Sequence, residues 1–334
     1  MEENYVLTII MSNYNQEKYI SKAIESVFSQ VVDFKFMLII VDDYSCNDRS
    51  KELIKQYAEK HDNVEAFFSS INRGYLSNIM QAKAKTKTKY FCLLDADDYW
   101  TDKFFLQRAF DFLNTHSEFS IYESNVMVHY IDEKGYEKTR KSFISRRIKS
   151  GVYSKEMLLN NERIPITQTA GMVFRNTIFI NGIPEIMRDA IGTRSERSFE
   201  GDTGRFIMHL KTGFAYYDDR IVGVYRINPN GIWSSMSQAR KLLISSRSYI
   251  DFYSFYKCNV DFFASKSYYL LQRYIVEKKK EIDNKNWHEN FMDEYEIFMI
   301  DDIYQFCKKH SNSIITEKVS LKSKLKQIVQ FVIP

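Results

Sequence analysis

An α/β fold on a mostly parallel sheet is what this sequence predicts, on three observations. Short β-rich apolar runs alternate with helical stretches through the first half of the chain. Those runs end in clusters of Asn, Asp, Ser and Gly, as the ligand-collecting strand ends of a parallel sheet do. Gly and Pro are scarce, at 11 and 4 of 334 residues, which argues against a many-turned all-β sandwich.

Val6–Met11 reads as the first strand, and Ile20, Ala23, Ile24, Val27 and Phe28 then recur at helical spacing. Phe36–Val41 is the second apolar run. A helix over Asp48–Lys60 follows, with Leu53, Ile54 and Tyr57 on one face. Val64–Phe68 is a strand, Leu76–Ala84 a helix and Tyr90–Leu94 a strand. Asp102 is a suitable N-cap for a helix over Lys103–Leu113. From Tyr122 to Tyr153 come strand-like pieces around a Lys/Arg-rich middle, and Ile166–Phe174 and Phe214–Tyr225 read as further strands. After Trp233 strand signals stop. The expected organisation is therefore residues 1–235 as the α/β domain, 236–315 as a helical region and 316–334 as a basic amphipathic helix. In that last segment Leu321, Leu325, Ile328, Val329 and Val332 share a face edged by Lys322, Lys324 and Lys326. Such a helix suits an anionic membrane surface, and equally a place packed on its own domain.

Composition narrows the class. An apolar share of 44% and an aromatic share of 15% supply a packed core and exclude disorder. A formal charge of +4 does not imply nucleic acid, and the basic stretch Lys83–Lys89 lacks interleaved aromatic stacking residues. Four dispersed cysteines without a CxxC pair suit a reducing compartment. The first residues lack the pattern of a signal peptide, and no run reaches the roughly 18 apolar residues of a membrane span. A cytoplasmic protein is expected, soluble or peripheral on a membrane's inner face. The six histidines show no metal-ligand spacing.

The chemistry concentrates where Tyr90–Leu94 runs into Asp95-Ala96-Asp97-Asp98. Three carboxylates in four positions repel one another unless a cation or a donor network offsets them. A hard divalent ion does so, taking one or two carboxylates and completing its shell with phosphate oxygens and water; a solvated acidic turn is the alternative. Other strand ends carry Ser12-Asn13-Tyr14-Asn15, Asp42-Asp43-Tyr44-Ser45 and Asn72-Arg73-Gly74, with Asn78 one turn into the next helix. Asp43 could accept from a nucleobase imide or a ribose hydroxyl, Tyr14 could stack on the base, and Gly74 would permit close backbone approach. Taken singly each is also an ordinary turn or cap.

In their order these pieces, with Gly201-Asp202 and Val224-Tyr225-Arg226-Ile227, resemble the family 2 glycosyltransferases of GT-A fold, the inverting group that builds bacterial surface polysaccharides. The resemblance covers about residues 5–235. It implies a Rossmann-like sheet flanked by helices, a nucleotide-sugar donor (a UDP-sugar foremost), a saccharide or lipid-linked saccharide acceptor, and Mn²⁺ or Mg²⁺ as cofactor. It implies nucleotide contacts from Ser12, Tyr14, Asn15, Asp43, Asn72, Gly74, Asn78, Asp95 and Ala96. Asp95 and Asp97 form the DxD metal pair, with Asp98 a further ligand or a support. Asp202 stands where the family has its catalytic base, with Glu200 the runner-up. Thr169, Glu200 and Trp233 fall on the acceptor side, although Thr169 is equally a structural hydroxyl and Trp233 equally a core residue.

Two features depart from the pattern. Asn228 stands where the family often has a His two residues after the Arg of Tyr225-Arg226, which removes a titratable metal or diphosphate contact. The polar stretch Ile191–Arg197 precedes the base, and its two arginines suit an anionic acceptor or a solvated loop. A sugar-nucleotide-binding scaffold without turnover is the rival reading, and residues 236–315 could serve acceptor binding, dimerisation (a homo-oligomer) or membrane docking. A nucleotidyltransferase would want a Gly-rich basic loop after the first strand, and Ser12–Glu17 is neither.

Overall fold

The computed structural model describes residues 5–131, 136–228, 231–284 and 292–310, leaving aside the side chains of Arg140, Glu200 and Asn284. The expected C-terminal amphipathic helix over 316–334 lies outside the described residues. By contact the chain divides into two compact units. One comprises residues through Leu158, Glu162–Ile191 and Glu200–Pro229; the other comprises Leu159–Asn161, Gly192–Phe199 and the residues from Asn230. Short pieces of the middle of the chain thus belong with the C-terminal helices, which no composition shift marks.

The first unit carries, in chain order, β1 (Leu7–Asn13), α1 (Ile20–Phe28), β2 (Phe36–Asp42), α2 (Ser50–Lys60), β3 (Val64–Phe68), α3 (Tyr75–Lys85), β4 (Tyr90–Leu93), β5 (Tyr99–Trp100) and α4 (Phe105–Thr115). Then follow β6 (Phe119–Ile131), β7 (Glu137–Ser142), β8 (Gly151–Tyr153), α5 (Lys155–Leu159), β9 (Met172–Arg175), α6 (Glu185–Arg188), α7 (Glu196–Glu200), α8 (Asp202–Leu210) and β10 (Phe214–Ile227). Both α5 and α7 cross from one unit to the other. The sheet order is β3-β2-β1-β4-β9-β6-β10-β5, with β7 on β6 and β8 on β10. Strands β3, β2, β1 and β4 are mutually parallel, as are β6 and β10. Between these blocks β9 is antiparallel to both neighbours. Buried on both faces, β1, β2 and β4 read as continuous apolar runs for the reason parallel strands do. Ile9, Met11, Leu38, Ile40, Cys92 and Leu94 join Ile20, Ile24 and Val27 of α1 in one core cluster.

Three expectations shift against the structure. The predicted strand Ile166–Phe174 is extended only from Met172; Thr169–Gly171 form a 3-10 turn that Gln168 caps by accepting from the Ala170 N–H (3.0 Å). A Cβ on Gly171 would run into the Ser124 carbonyl, so the chain must turn there beside β6. Asp102 does not cap a helix at Lys103: its carboxylate takes the Phe104 N–H (2.9 Å) and Arg108 (2.5 Å), and the helix opens at Phe105. The strand expected from Tyr122 starts at Phe119 and runs 13 residues without a break.

The second unit is helical. Helices α9 (Gln238–Tyr256), α10 (Val260–Asn284) and α11 (Glu294–His310) share a core of Leu243, Tyr274, Leu271, Met299 and Ile303. Ser237 caps α9, accepting from the Arg240 N–H (3.2 Å), and Lys257 at φ 57° ends it. Inside this unit the polar stretch before Asp202 is anchored rather than solvated. Asp251, 6% exposed, accepts from Ser195 Oγ (3.0 Å) and Ser198 Oγ (2.6 Å) and pairs with Arg247 (2.8 Å). Arg194, expected as an anion contact, pairs with Asp302 (3.3 Å). Among the described residues no helix is long and apolar enough to cross a membrane.

Candidate active site

The first three parallel strands end on a network that the apolar pattern could not show. Asn13 donates through Nδ2 to Asp42 Oδ1 (2.7 Å) and Ser45 Oγ (3.1 Å), while Asp42 also accepts from Ser45 N (2.9 Å) and Oγ (2.5 Å). Asp42 is fully buried, so this carboxylate locks the β1 and β2 ends together. Asn15, at φ 51°, donates its N–H to Ser45 Oγ (2.8 Å) and accepts from Asn47 N (3.3 Å). Tyr14 is left 46% exposed, with a ring face accessible for stacking.

Asp43 has a definite task in the fold. Its two oxygens accept from Arg73 N (2.7 Å) and Gly74 N (3.0 Å), clamping the loop between β3 and α3. Asn72 Oδ1 also accepts from Gly74 N (3.2 Å). Gly74 has φ 84° and ψ 160°, a region that side chains other than glycine's hardly enter. Gly74→Ala is therefore expected to cost about 1–3 kcal/mol of stability, readable by urea unfolding. An unchanged unfolding midpoint would mean the loop adapts without effect. Asn78, 1% exposed, accepts from Ser69 Oγ (3.2 Å) inside the α3 packing.

At the end of β4, Asp98 of the acidic cluster is buried while Asp95 and Asp97 are half-buried. Ala96 N donates to Ser12 O (3.2 Å), carrying the β1–β4 ladder into it. Asp95 Oδ1 accepts from Ser12 Oγ (3.1 Å) and from the Tyr75 hydroxyl (3.2 Å). Burial pushes its carboxyl above the usual range; Arg205 opposes this and Asp202 adds to it. Burial and the Asp95 charge push Asp97 up to about 7. Burial, then Asp97 and Asp95, raise Asp98 well above the carboxylate range; its Oδ1 accepts from Arg226 N (2.8 Å). Arg226 is 4% exposed and spends its guanidinium on Asp97 O (2.6 Å), Glu137 (3.2 Å) and the Tyr99 ring (4.3 Å), so it braces this loop from behind. Among the described residues no three His, Cys, Asp or Glu side chains converge as a metal cage. Two half-buried, mutually repelling carboxylates, Asp95 and Asp97, fit an ion that takes the rest of its shell from phosphate and water.

Asp202 is the first residue of α8, after Gly201. Its Oδ1 receives the Thr169 hydroxyl and Arg205 Nη2 (2.8 Å), and Arg205 also donates to Thr169 Oγ1 (2.6 Å). The Asp202 side chain is 27% exposed while that of Arg205 is 3% exposed, so the carboxylate reaches solvent from a fixed base. Thr169, expected to meet a sugar, has its hydroxyl taken up by this triangle. Its turn is held by Trp100 Nε1, which donates to Ala170 O (2.7 Å). Burial would lower the charge on Arg205, but Tyr75, Asp202 and Asp95 outweigh it and raise its pKa. Arg205 is thus the cation that links the proposed base to the acidic cluster. The far end of α8 is held by His209, whose buried ring is pushed down to about 3 by desolvation and hydrogen-bonds through Nδ1 to Arg205 O (2.8 Å). Glu200 closes α7, and its side chain lies outside the described residues. Trp233 belongs to the helical unit and is 46% exposed.

Sequence reasoning missed Arg205 and Tyr75. The Asp202-x-x-Arg205 spacing was a signal, because residues three apart meet on a helix face. Tyr75 directly follows Gly74 at the start of α3 and carried none.

Comparison with known proteins agrees on the fold and the family. Staphylococcus aureus TarS, residues 1–349 in complex with UDP-GlcNAc, superposes with a TM-score of 0.61 at 17% identity, covering 90% of this chain and 81% of that one. An uncharacterised protein of Mycobacterium tuberculosis is 26% identical over 244 residues, 73% of this chain and 65% of the relative, so the match spans just under two thirds of the relative's length. The minor teichoic acid biosynthesis protein GgaB of Bacillus subtilis is 32% identical over 114 residues, 34% of this chain and 12% of the relative. The family described as glycosyl transferase family 2 matches residues 8–182, more than half of the chain. Its span takes in β1 to β9 and every strand end of the nucleotide side, and on that ground this protein belongs to glycosyl transferase family 2.

Proposed function

We propose that this chain is an inverting glycosyltransferase that moves a sugar from a UDP-sugar to a saccharide hydroxyl in the synthesis of a cell-surface polysaccharide. The observation that carries the reading is the Asp202–Thr169–Arg205 triangle, which presents a partly exposed carboxylate from a buried support. Arg205 also feels the charge of Asp95, so base and acidic cluster share one electrostatic neighbourhood. The family membership, the UDP-GlcNAc named with the TarS structure and the teichoic acid synthesis named for the Bacillus relative support the donor and product classes.

The residues divide the work as follows. Asp202 accepts the proton of the acceptor hydroxyl as that oxygen bonds to the anomeric carbon; the bond from that carbon to the diphosphate oxygen breaks on the opposite face. An α-linked donor would then give a β-linked product. Thr169 and Arg205 keep the Asp202 carboxylate aimed. Asp43 holds the Arg73-Gly74 loop near the nucleotide, and Tyr14 offers a stacking face. Asp95 and Asp97 would hold Mn²⁺ or Mg²⁺, which when bound would neutralise charge developing on the departing diphosphate. Arg226 keeps the backbone of Asp97 in place.

The test is UDP release across a panel of UDP- and GDP-sugars with Mn²⁺, Mg²⁺ or EDTA. We expect one UDP-sugar to be turned over with either metal and release to stop in EDTA. Release that ignores EDTA would remove the Asp95/Asp97 metal assignment, and no release from any donor, with or without saccharide acceptors, would remove the transferase reading.

A further inference from the structure

The helical unit holds a cleft of about 930 Å³, near the top of the range of about 300–1,000 Å³ typical of small-molecule sites. One wall is a single face of α10, where Phe262, Lys266 and Tyr269 follow at helical spacing. Asn160 and Asn161 also line it, and Asn259 stands just before the α10 start. Tyr269 is 54% exposed, and Lys266 Nζ sits 5.9 Å from the Phe262 ring centroid.

The lining chemistry selects among ligands. Asparagine side chains donate and accept at once, as sugar hydroxyls require of their partners. An exposed ring face offers apolar contact to the C–H face of a pyranose without fixing its charge. A protein helix seated here would bury amides that it could not satisfy, at a cost per unmade hydrogen bond of about 1–3 kcal/mol. A phosphate polymer would meet one cation, Lys266, beside the carboxylate of Asp261. We infer that this cleft is a saccharide-binding site that takes an uncharged stretch of a glycan, separate from the Asp202 centre. The inference rests on the glycosyltransferase reading for its purpose, which is to retain the acceptor polymer between transfers by raising its effective concentration.

The test is saturation-transfer NMR on the full chain with UDP present. The probes are cellotriose, chitotriose and maltotriose, with a glycerol phosphate oligomer as the anionic comparison. At least one trisaccharide should bind, about tenfold more weakly to Tyr269→Ala through loss of the ring contact. Binding should be kept in Tyr269→Phe and unchanged in Asp202→Asn, and UDP release by Tyr269→Ala should equal that of wild type. No trisaccharide binding, binding indifferent to Tyr269→Ala, or binding of the glycerol phosphate oligomer alone would overturn the assignment. The two readings fail separately: turnover with Tyr269-independent binding sinks only the cleft, and Tyr269-dependent binding without turnover of any donor sinks only the transferase.

Discussion

Asp202→Asn is expected to bind the UDP-sugar as tightly as wild type and to transfer it about 10²–10⁴ times more slowly, the usual worth of a positioned general base. The substitution keeps the shape of the side chain and an oxygen able to accept from Thr169 and Arg205, so the α8 start should hold. What it removes is the capacity to take a proton. An acceptor hydroxyl that must attack without losing its proton is a poor nucleophile. Donor affinity should be kept, because Tyr14, Asp43 and Asp95 are carried by strand ends and Asp202 by the start of α8. Measuring kcat at saturating donor beside the UDP-sugar Kd separates the two effects. A kcat within a few-fold of wild type would exclude Asp202 as the base. The same assay on Glu200→Gln would then decide whether the neighbouring acid has that task.

How much of this was legible depends on where each signal resides. Strands buried on both faces announce themselves by apolar runs, and Phe36–Val41 and Tyr90–Leu94 fall within a residue of β2 and β4. The break at Thr169–Gly171 was hidden because Thr167–Val173 has a strand-like composition. Gly171 lies so close to the Ser124 carbonyl of a neighbouring strand that a Cβ would not fit, a tertiary contact that the local sequence does not show. The strand-end carboxylates were visible as types, but their partners were not. Asp42 and Asp43 are adjacent and look alike; one is fully buried under Asn13 and Ser45, while the other clamps the Arg73-Gly74 loop. Arg226 looked equally able to face the diphosphate or to make a structural ion pair, and its bonds to Asp97 O and Glu137 decide for the support. The two arginines before the base suited an anionic acceptor or a solvated loop alike, and the first of them, Arg194, pairs with Asp302 instead.

Arg205→Met should give the second large effect, and it acts on stability and rate together. The guanidinium is buried, and it faces Asp202 directly and Tyr75 and Asp95 electrostatically. Removing one partner of a buried ion pair leaves the other charge uncompensated, at a cost of about 3–5 kcal/mol when both are buried. Because Asp202 is 27% exposed, water recovers part of that loss, so the lower end is expected. The rate should fall as well, since the Asp202 carboxylate would keep only the Thr169 hydroxyl to aim it, and a small misplacement of a reacting group can cost 10²-fold. Arg205→Lys separates the two contributions. A lysine keeps the cation in the pocket but lacks the rigid planar fork that holds one nitrogen, Nη2, between Thr169 and Asp202. It should therefore melt close to wild type while kcat falls with donor KM unchanged. If the Lys variant loses stability yet keeps full kcat per folded molecule, Arg205 is only a core ion pair. If it keeps both, the fork geometry has no part in orienting the base.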